Sequence, residues 1–327
     1  SNHIDFNGDG YPDVIVSDFL GTRRTQNGGT NNPNSWGCSG DCGFSGIALY
    51  DGADIANGNT VGDQDLQSDY DGYLNSVDTH YFLGMAVTGT DTNGDGADDI
   101  VITSPGDDSN ADNAGCVYFV RGIPSVPISA YNLTVSGSIF SSLLTNIDGA
   151  AICSSTQDAF FGWNATPQLA DFDGDGVMDL AIGSPVQNKV YVYFDISSLS
   201  GSYDADADAD LVISGPNSAF GYSLGTADLN GDGYHDLLIG APDYNNPEDM
   251  FYDGNLVYDM NDNGNNGSIY IYSGANLSGN STLSEANSDG RIQSSSDEFF
   301  GSHIVTADMD GDGTHDILAS EPLWDGQ

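Results

Sequence analysis

One nine-residue pattern occurs five times in this 327-residue chain, and each copy runs into a short apolar segment. The pattern is Asp-x-Asp/Asn-Gly-Asp-Gly-x-x-Asp, and its residues are numbered below as positions 1 to 9. The copies, called loops 1 to 5, cover residues 5–13, 91–99, 171–179, 228–236 and 308–316. Such recurrence indicates a chain that repeats one supersecondary unit along its length.

Each repeat contains about four strand candidates, because short runs rich in β-branched and aromatic residues lie between glycine-rich segments. One candidate carries a Phe-Gly pair, one follows the loop, one is rich in Tyr and Val, and one precedes the next Phe-Gly pair. The Tyr/Val runs are residues 46–50, 116–120, 190–194 and 268–272, and residues 211–214 exemplify the last kind. Four antiparallel strands in each repeat predict an all-β fold, a β-propeller of four-stranded blades.

The loops contain the donors of a calcium site, since Ca²⁺ takes six to eight oxygen ligands. Side chains at positions 1, 3 and 5 of a tight turn converge, position 7 offers a carbonyl, and position 9 adds a carboxylate. Glycines at positions 4 and 6 allow positive φ. The predicted ligands are Asp5, Asn7, Asp9 and Asp13; Asp91, Asn93, Asp95 and Asp99; Asp171, Asp173, Asp175 and Asp179; Asp228, Asn230, Asp232 and Asp236; and Asp308, Asp310, Asp312 and Asp316.

Three other interpretations fit the loops less well. An EF-hand needs Glu at position 12, but that position is Val16, Ile102, Ile182, Ile239 or Ala319. Magnesium prefers to keep several waters and does not need so many protein oxygens. Ordinary turns with three or four carboxylates in nine residues would repel themselves without a cation. We therefore expect about five calcium ions, one in each loop.

The charge of the chain excludes two classes of partner. With 49 acidic and 5 basic side chains the formal charge is −44, so no basic footprint for nucleic acid exists and an anionic membrane surface would repel the protein. No run of 18 apolar residues occurs, so no direct membrane insertion is expected. Disorder, the other interpretation of such charge, conflicts with a hydrophobic fraction of 38%.

The repeats resemble a known family. A Phe-Gly pair precedes loops 3 to 5 at residues 161–162, 220–221 and 300–301, with Phe82-Leu83-Gly84 before loop 2, and Gly-Ala-Pro follows loop 4 at residues 240–242. This arrangement resembles the FG-GAP repeat of integrin α-subunit β-propellers and of related bacterial surface proteins. The resemblance covers nearly the whole chain and implies an extracellular propeller with calcium in loops on one face, in a family where seven blades are usual.

The first and last repeats are shorter than the others. Residues before loop 1 are too few for a Phe-Gly strand, and no Tyr/Val run follows loop 5. We expect residues 1–327 to form a single β-propeller, either a fragment of a longer one or a ring completed by another chain.

The four cysteines allow two disulfides, which would suit a secreted protein. Cys38 and Cys42 lie close together in a glycine-rich loop, so we expect them to pair and to leave Cys116 with Cys153. Zinc is a poorer interpretation, because the spacing is wrong and no His is near.

Two other acidic stretches are weaker metal candidates: residues 259–264, and Asp204, Asp206, Asp208 and Asp210. The second stretch alternates with Ala and is read either as a strand with its acids on one face or as a solvated connection to residues 211–214.

No catalytic constellation is found, so we expect no enzyme activity from this chain. The main hypothesis is an extracellular, calcium-stabilised binding or adhesion module for a protein or glycan. The alternatives are a filament or surface-layer subunit that shares strands with copies of itself, and the non-catalytic propeller of a larger secreted hydrolase. Long insertions at residues 20–45 and 243–267 are the expected recognition loops.

Overall fold

The computed structural model describes residues 4–18, 45–57, 71–76, 82–135, 149–216, 218–242, 267–294 and 299–321. Within these ranges the chain is nearly all β, with two short helices, α1 (Gly52–Ala56) and α2 (Ala205–Asp208). The strands are β1 (Val14–Asp18), β2 (Ser45–Tyr50), β3 (Gly72–Ser76), β4 (Val87–Thr90), β5 (Asp99–Ser104), β6 (Cys116–Val120), β7 (Asn132–Val135), β8 (Gly149–Cys153), β9 (Gln168–Ala170), β10 (Asp179–Ser184), β11 (Lys189–Tyr193), β12 (Gly201–Asp204), β13 (Leu211–Ser214), β14 (Ser223–Ala227), β15 (Asp236–Ala241), β16 (Ser268–Tyr272), β17 (Thr282–Ser284), β18 (Gly290–Gln293), β19 (Ile304–Ala307) and β20 (Asp316–Ala319).

These strands form one sheet for each repeat, and the sheets are called blades 1 to 5. Their strand orders are β1-β2-β3-β7, β4-β5-β6-β8-β12, β9-β10-β11-β13-β17, β14-β15-β16-β18 and β19-β20. The strand after each loop pairs antiparallel with the Tyr/Val strand in blades 1 to 4. The sheets and the repeats fit an integrin-like β-propeller, so the predicted fold class is confirmed.

Two compact units divide the chain. Unit 1 contains residues 1–160 and 199–203, and unit 2 contains residues 161–198 and 204–327. Each unit has its own apolar core. In unit 1 the core includes Phe6, Ile100, Tyr118 and Tyr131, and in unit 2 it includes Phe172, Phe220, Leu237 and Tyr272.

The outer edges of blades 1 to 3 are covered by short strands from further along the chain. Strand β7 pairs parallel with β3, and β17 pairs parallel with β13. Strand β12 lies beside β8. An unpaired strand edge is a template for unwanted pairing, so these additions protect the blades from edge-to-edge association.

The Phe-Gly pairs lie in turns before the first strand of each blade, and our expectation that a strand carries them is wrong. The glycine and the residue two before it have positive φ in four repeats, with Ala219 at 56° and Gly221 at 91° in blade 4. The glycine N–H donates to a carbonyl of the strand after the loop, at 3.0 Å from Gly221 to Gly240. The Phe220 ring packs edge-on against Tyr270 at 5.5 Å between centroids.

Glycines also set how closely neighbouring blades approach within a unit. A Cβ on Gly221 would lie 2.7 Å from the carbonyl oxygen of Lys189 in blade 3, and a Cβ on Gly301 would lie 2.8 Å from that of Ser268 in blade 4. A Cβ on Gly240, the glycine of Gly-Ala-Pro, would lie 2.2 Å from the carbonyl oxygen of Gly301. The Phe-Gly and Gly-Ala-Pro motifs are therefore two sides of one contact between blades.

The structure contains the predicted disulfide between Cys116 and Cys153, which are opposite each other on β6 and β8. The other predicted pair, Cys38 with Cys42, lies outside the described residues. So do residues 259–264 and the recognition loops proposed at 20–45 and 243–267, apart from their end residues.

Residues 205–208 of the acidic stretch form the one-turn helix α2, so the interpretation of Asp204 to Asp210 as a strand is wrong. The Asp204 side chain caps α2 by accepting from the N–H groups of Asp206 and Ala207, both at 3.0 Å. Short acidic residues favour such local side-chain to backbone bonds over a strand ladder. None of the helices among the described residues has the length and apolarity that a membrane span requires.

Gly221→Ala tests the contact between blades 3 and 4. We expect it to lower the free energy of unfolding by about 3 kcal/mol, because a Cβ adds both left-handed strain and a clash with backbone. Gly279→Ala is the matched control in the same unit, since Gly279 also has positive φ (78°) but a Cβ there meets nothing within 4 Å. Urea unfolding should give a loss of about 1 kcal/mol for the control. Equal losses in the two variants would contradict the blade contact.

Candidate metal centre

The side chain at position 1 organises each loop by accepting backbone N–H groups from the residues that follow it. In loop 3, Asp171 Oδ1 accepts from Gly174 at 2.7 Å and from Asp175 at 3.1 Å, while Oδ2 accepts from Gly176 at 2.9 Å. The same three bonds occur in loops 2, 4 and 5. Glycines at positions 4 and 6 have positive φ in all five loops, which lets these N–H groups turn inward.

Positions 3 and 5 are fixed in the same way. In every loop the position 3 side chain accepts from the N–H of position 5, at 2.9 to 3.2 Å. The position 5 carboxylate accepts from the N–H of position 7, at 2.8 to 2.9 Å. The predicted ligands at positions 1, 3 and 5 are therefore held by the turn itself, and each ionised carboxylate keeps further lone pairs for a cation.

Three carboxylates come together in each of the two loops whose position 3 is Asp. Carboxylate oxygens of Asp171, Asp173 and Asp179 lie within 4.8 Å of one another, and so do those of Asp308, Asp310 and Asp312. Loops 1, 2 and 4 have Asn at position 3, and its amide donates to the position 5 carboxylate, as from Asn230 to Asp232 at 2.9 Å. The amide thereby offsets part of the negative charge in those loops.

The Asp at position 9 is a buried link between its loop and a more distant part of the blade. Asp179 accepts from the N–H of Phe172 at 2.7 Å and from the N–H of Asp195, just after β11, at 2.9 Å. Asp13, Asp99 and Asp236 make the equivalent pairs of bonds, with Gly52, Gly122 and Gly274 as the distant donors. The sequence predicts only a metal-binding role for these residues, because no sequence pattern identifies the distant N–H groups that bind them.

In loops 1 to 4, burial of the position 9 carboxylate raises its pKa. Desolvation raises the pKa of Asp179 to about 7 and that of Asp13 to about 6, against the backbone N–H bonds, which lower it. The pKa values of Asp99 and Asp236 are also raised, again chiefly by desolvation. Burial of a carboxylate disfavours its charged form, and a cation bound beside it would favour that form.

The donor set fits a calcium ion. Carboxylate and amide oxygens from one turn converge, and hard oxygens are the ligands that Ca²⁺ takes. In loop 3 the residues that would hold the ion are Asp171, Asp173, Asp175 and Asp179, and the other loops offer the equivalent residues.

Two carboxylates outside the loops have structural partners. Asp206 accepts from Lys189 Nζ and from the Tyr191 hydroxyl, both at 2.7 Å, and so is bound to side chains of β11. Asp107 is fully buried and accepts from the Tyr118 hydroxyl at 2.7 Å and from Ser109. Sequence reasoning did not single out Asp107, since nothing in its neighbourhood reveals that it is buried.

Comparison with known proteins identifies the repeats. The family model described as FG-GAP repeat matches residues 83–120, 163–193 and 220–272, which contain loops 2, 3 and 4. The chain contains FG-GAP repeats. Phosphatidylinositol-glycan-specific phospholipase D from Dictyostelium discoideum is 30% identical over 177 residues, 49% of this chain and 18% of the relative. The Rattus norvegicus enzyme of that name is 31% identical over 51% of this chain and 19% of its own length.

Integrin α subunits are similar to the chain as well. Integrin alpha-PS2 of Drosophila melanogaster is 31% identical over 194 residues, which is 53% of this chain and 11% of the relative. The predicted resemblance to integrin-like FG-GAP propellers is thus confirmed. The matched FG-GAP segment is less than a fifth of the length of each of these three relatives.

Asp173→Asn and Asp179→Asn separate the roles of positions 3 and 9. In EDTA we expect Asp179→Asn to cost about 2 kcal/mol of unfolding free energy, because an amide nitrogen cannot accept the second backbone N–H. Asp173→Asn recreates the position 3 residue of loops 1, 2 and 4, removes a charge and should leave stability unchanged or raised. Chemical unfolding in EDTA measures both. A loss for Asp173→Asn as large as that for Asp179→Asn would contradict this division.

Proposed function

We propose that this chain is an extracellular, calcium-stabilised β-propeller that acts as a non-catalytic binding module for a protein or glycan. The observation that carries the proposal is the geometry of the five loops, in which the carboxylates of one turn are held together by backbone N–H groups. The proposed ligands are the side chains at positions 1, 3, 5 and 9 of each loop, with one Ca²⁺ in each.

The charge of the chain supports a structural role for the ions. The formal charge is −44, and the five predicted ligand sets contain 17 of the 49 acidic residues. A cation that binds only the folded state stabilises it, and a highly charged chain gains further from the loss of self-repulsion.

An extracellular binding role is supported by the disulfide and by the relatives. The Cys116–Cys153 bond suits an oxidising compartment. Integrin α subunits are among the proteins to which the chain is similar. A rigid β scaffold that presents long insertions is a common arrangement for recognition.

A second candidate is the non-catalytic propeller of a larger secreted hydrolase. Its support is the similarity to proteins named phosphatidylinositol-glycan-specific phospholipase D, of which the alignment covers 18 to 19%. In this case the chain would position a catalytic domain, and its loops would keep the same calcium-dependent role.

Removal of calcium should destabilise the protein strongly. We expect EDTA to lower the melting temperature by about 10 °C or more, since several sites each contribute a few kcal/mol at saturation. Calcium in excess should restore the transition, and magnesium should restore little of it, because Mg²⁺ retains its waters. Scanning calorimetry in calcium, magnesium and EDTA measures this.

Asp175→Asn, at position 5 of loop 3, should reduce the calcium-dependent gain without removing it, because the other loops remain. Melting curves that coincide in calcium and EDTA would contradict the calcium assignment. Glycan-array and purified-protein binding in calcium and in EDTA test the binding role, and hydrolysis of a phosphatidylinositol-glycan by this chain alone would contradict the non-catalytic one.

A further inference from the structure

Loops 1 and 2 are joined through Asp98, which occupies position 8 of loop 2 and belongs to neither predicted ligand set. The Asp5 N–H donates to Asp98 Oδ2 at 2.7 Å, and the Asp98 N–H donates to the Asp5 carbonyl at 2.8 Å. This closed pair of hydrogen bonds fixes both backbone polar groups of Asp5. The carboxylate of Asp5 is in turn the position 1 side chain around which loop 1 turns, through Asp9 and Gly10.

The two loops also touch through backbone that leaves no room for side chains. A Cβ on Gly122 would lie 2.2 Å from the Asp98 carbonyl oxygen and 2.6 Å from that of Phe6. The same Gly122 donates its N–H to Asp99, the position 9 residue of loop 2, at 3.0 Å. A second backbone bond runs from Ser125 N–H to the Asn7 carbonyl at 2.8 Å. A shift in the backbone of one loop would therefore displace the backbone of the other.

The equivalent contact in unit 2 is weaker. Position 8 of loop 4 is His235, whose N–H donates to the Asp171 carbonyl of loop 3 at 3.2 Å. An imidazole offers no carboxylate to accept the reciprocal N–H. The two-bond link is thus particular to the pair formed by loops 1 and 2 among the described loops.

We propose that Asp98 is a positioning residue that couples the cation sites of loops 1 and 2, so that filling loop 2 raises the affinity of loop 1. This rests on the proposed calcium function. A cation in loop 2 would fix the segment that contains Asp98 and Asp99, and Asp98 would then hold Asp5 in its binding position before loop 1 is filled. The conformational entropy lost on ordering this shared segment would be lost only once for both sites, which gives positive cooperativity.

Loop 1 contains its own optical probe. Position 7 is Tyr11 in loop 1 and Tyr234 in loop 4, whereas it is Ala97, Val177 and Thr314 in the others. Terbium substitutes for calcium at oxygen sites and emits when a neighbouring tyrosine is excited. The background is therefore the full chain with Tyr234→Phe, which removes the tyrosine of loop 4. The loop 1 signal is the terbium emission that is lost when Tyr11→Phe is added to this background.

The test is a terbium titration of this loop 1 signal in a double-mutant cycle. Asp95→Asn, which impairs loop 2, should raise the midpoint for loop 1 about fivefold or more, the usual lower range for coupled sites. Asp98→Ala should raise it similarly, and the two changes together should add little to either. Asp98→Asn keeps an acceptor for the Asp5 N–H and should recover most of the wild-type midpoint.

The controls separate coupling from folding and from the calcium assignment. Asp112→Asn removes an exposed charge of unit 1 outside the loops and should leave the midpoint unchanged. Circular dichroism checks that each variant is folded. The coupling alone would be overturned if Asp95→Asn or Asp98→Ala kept the wild-type terbium midpoint of loop 1. It would also be overturned if Asp98→Asn raised that midpoint as much as Asp98→Ala does. The absence of any Tyr11-dependent emission would overturn the calcium function, and the coupling with it.

Discussion

The carboxylate at position 9 is the constraint on which the rest of each repeat depends. In blades 1 to 4 it is buried where the loop enters its strand, and it accepts one N–H from the loop and one from the turn after the Tyr/Val strand. The loop, the strand and the neighbouring strand are thereby held in one arrangement. The cost is negative charge in a desolvated place, which raises the pKa of Asp13 and Asp179. A calcium ion coordinated by the same loop would offset that cost.

The second constraint is the close approach of backbone between blades. Gly221 and Gly301 each face a carbonyl of the preceding blade, and Gly240 faces the carbonyl of Gly301. Any side chain at these positions would separate the sheets and expose the apolar faces between them. The Phe of the motif packs on the aromatic strand of its own blade, as Phe220 does on Tyr270. The Phe-Gly motif thus serves packing within and between blades, while the Asp-rich loop supplies the proposed calcium ligands.

Much of the fold was predictable because the repeat fixes the order of loop and strands. The strands after all five loops, the Tyr/Val strands and the Cys116–Cys153 pair follow from local composition and elimination. The Phe-Gly turns were not predictable, since positive φ at Ala219 or Phe299 has no composition signal. The distant donors to position 9, such as Gly52 for Asp13, and the link from Asp98 to Asp5 depend on tertiary placement across 39 and 93 residues.

The central claim is that the five loops are calcium sites, and a count of bound ions tests it most directly. The purified full chain would be dialysed to equilibrium against buffered calcium, and calcium per chain would be measured by atomic emission. We expect about five ions per chain, with one fewer after Asp175→Asn, because each loop offers one complete set of oxygen ligands. Retention of no calcium above the level of the dialysis buffer would show that the loops are not calcium sites.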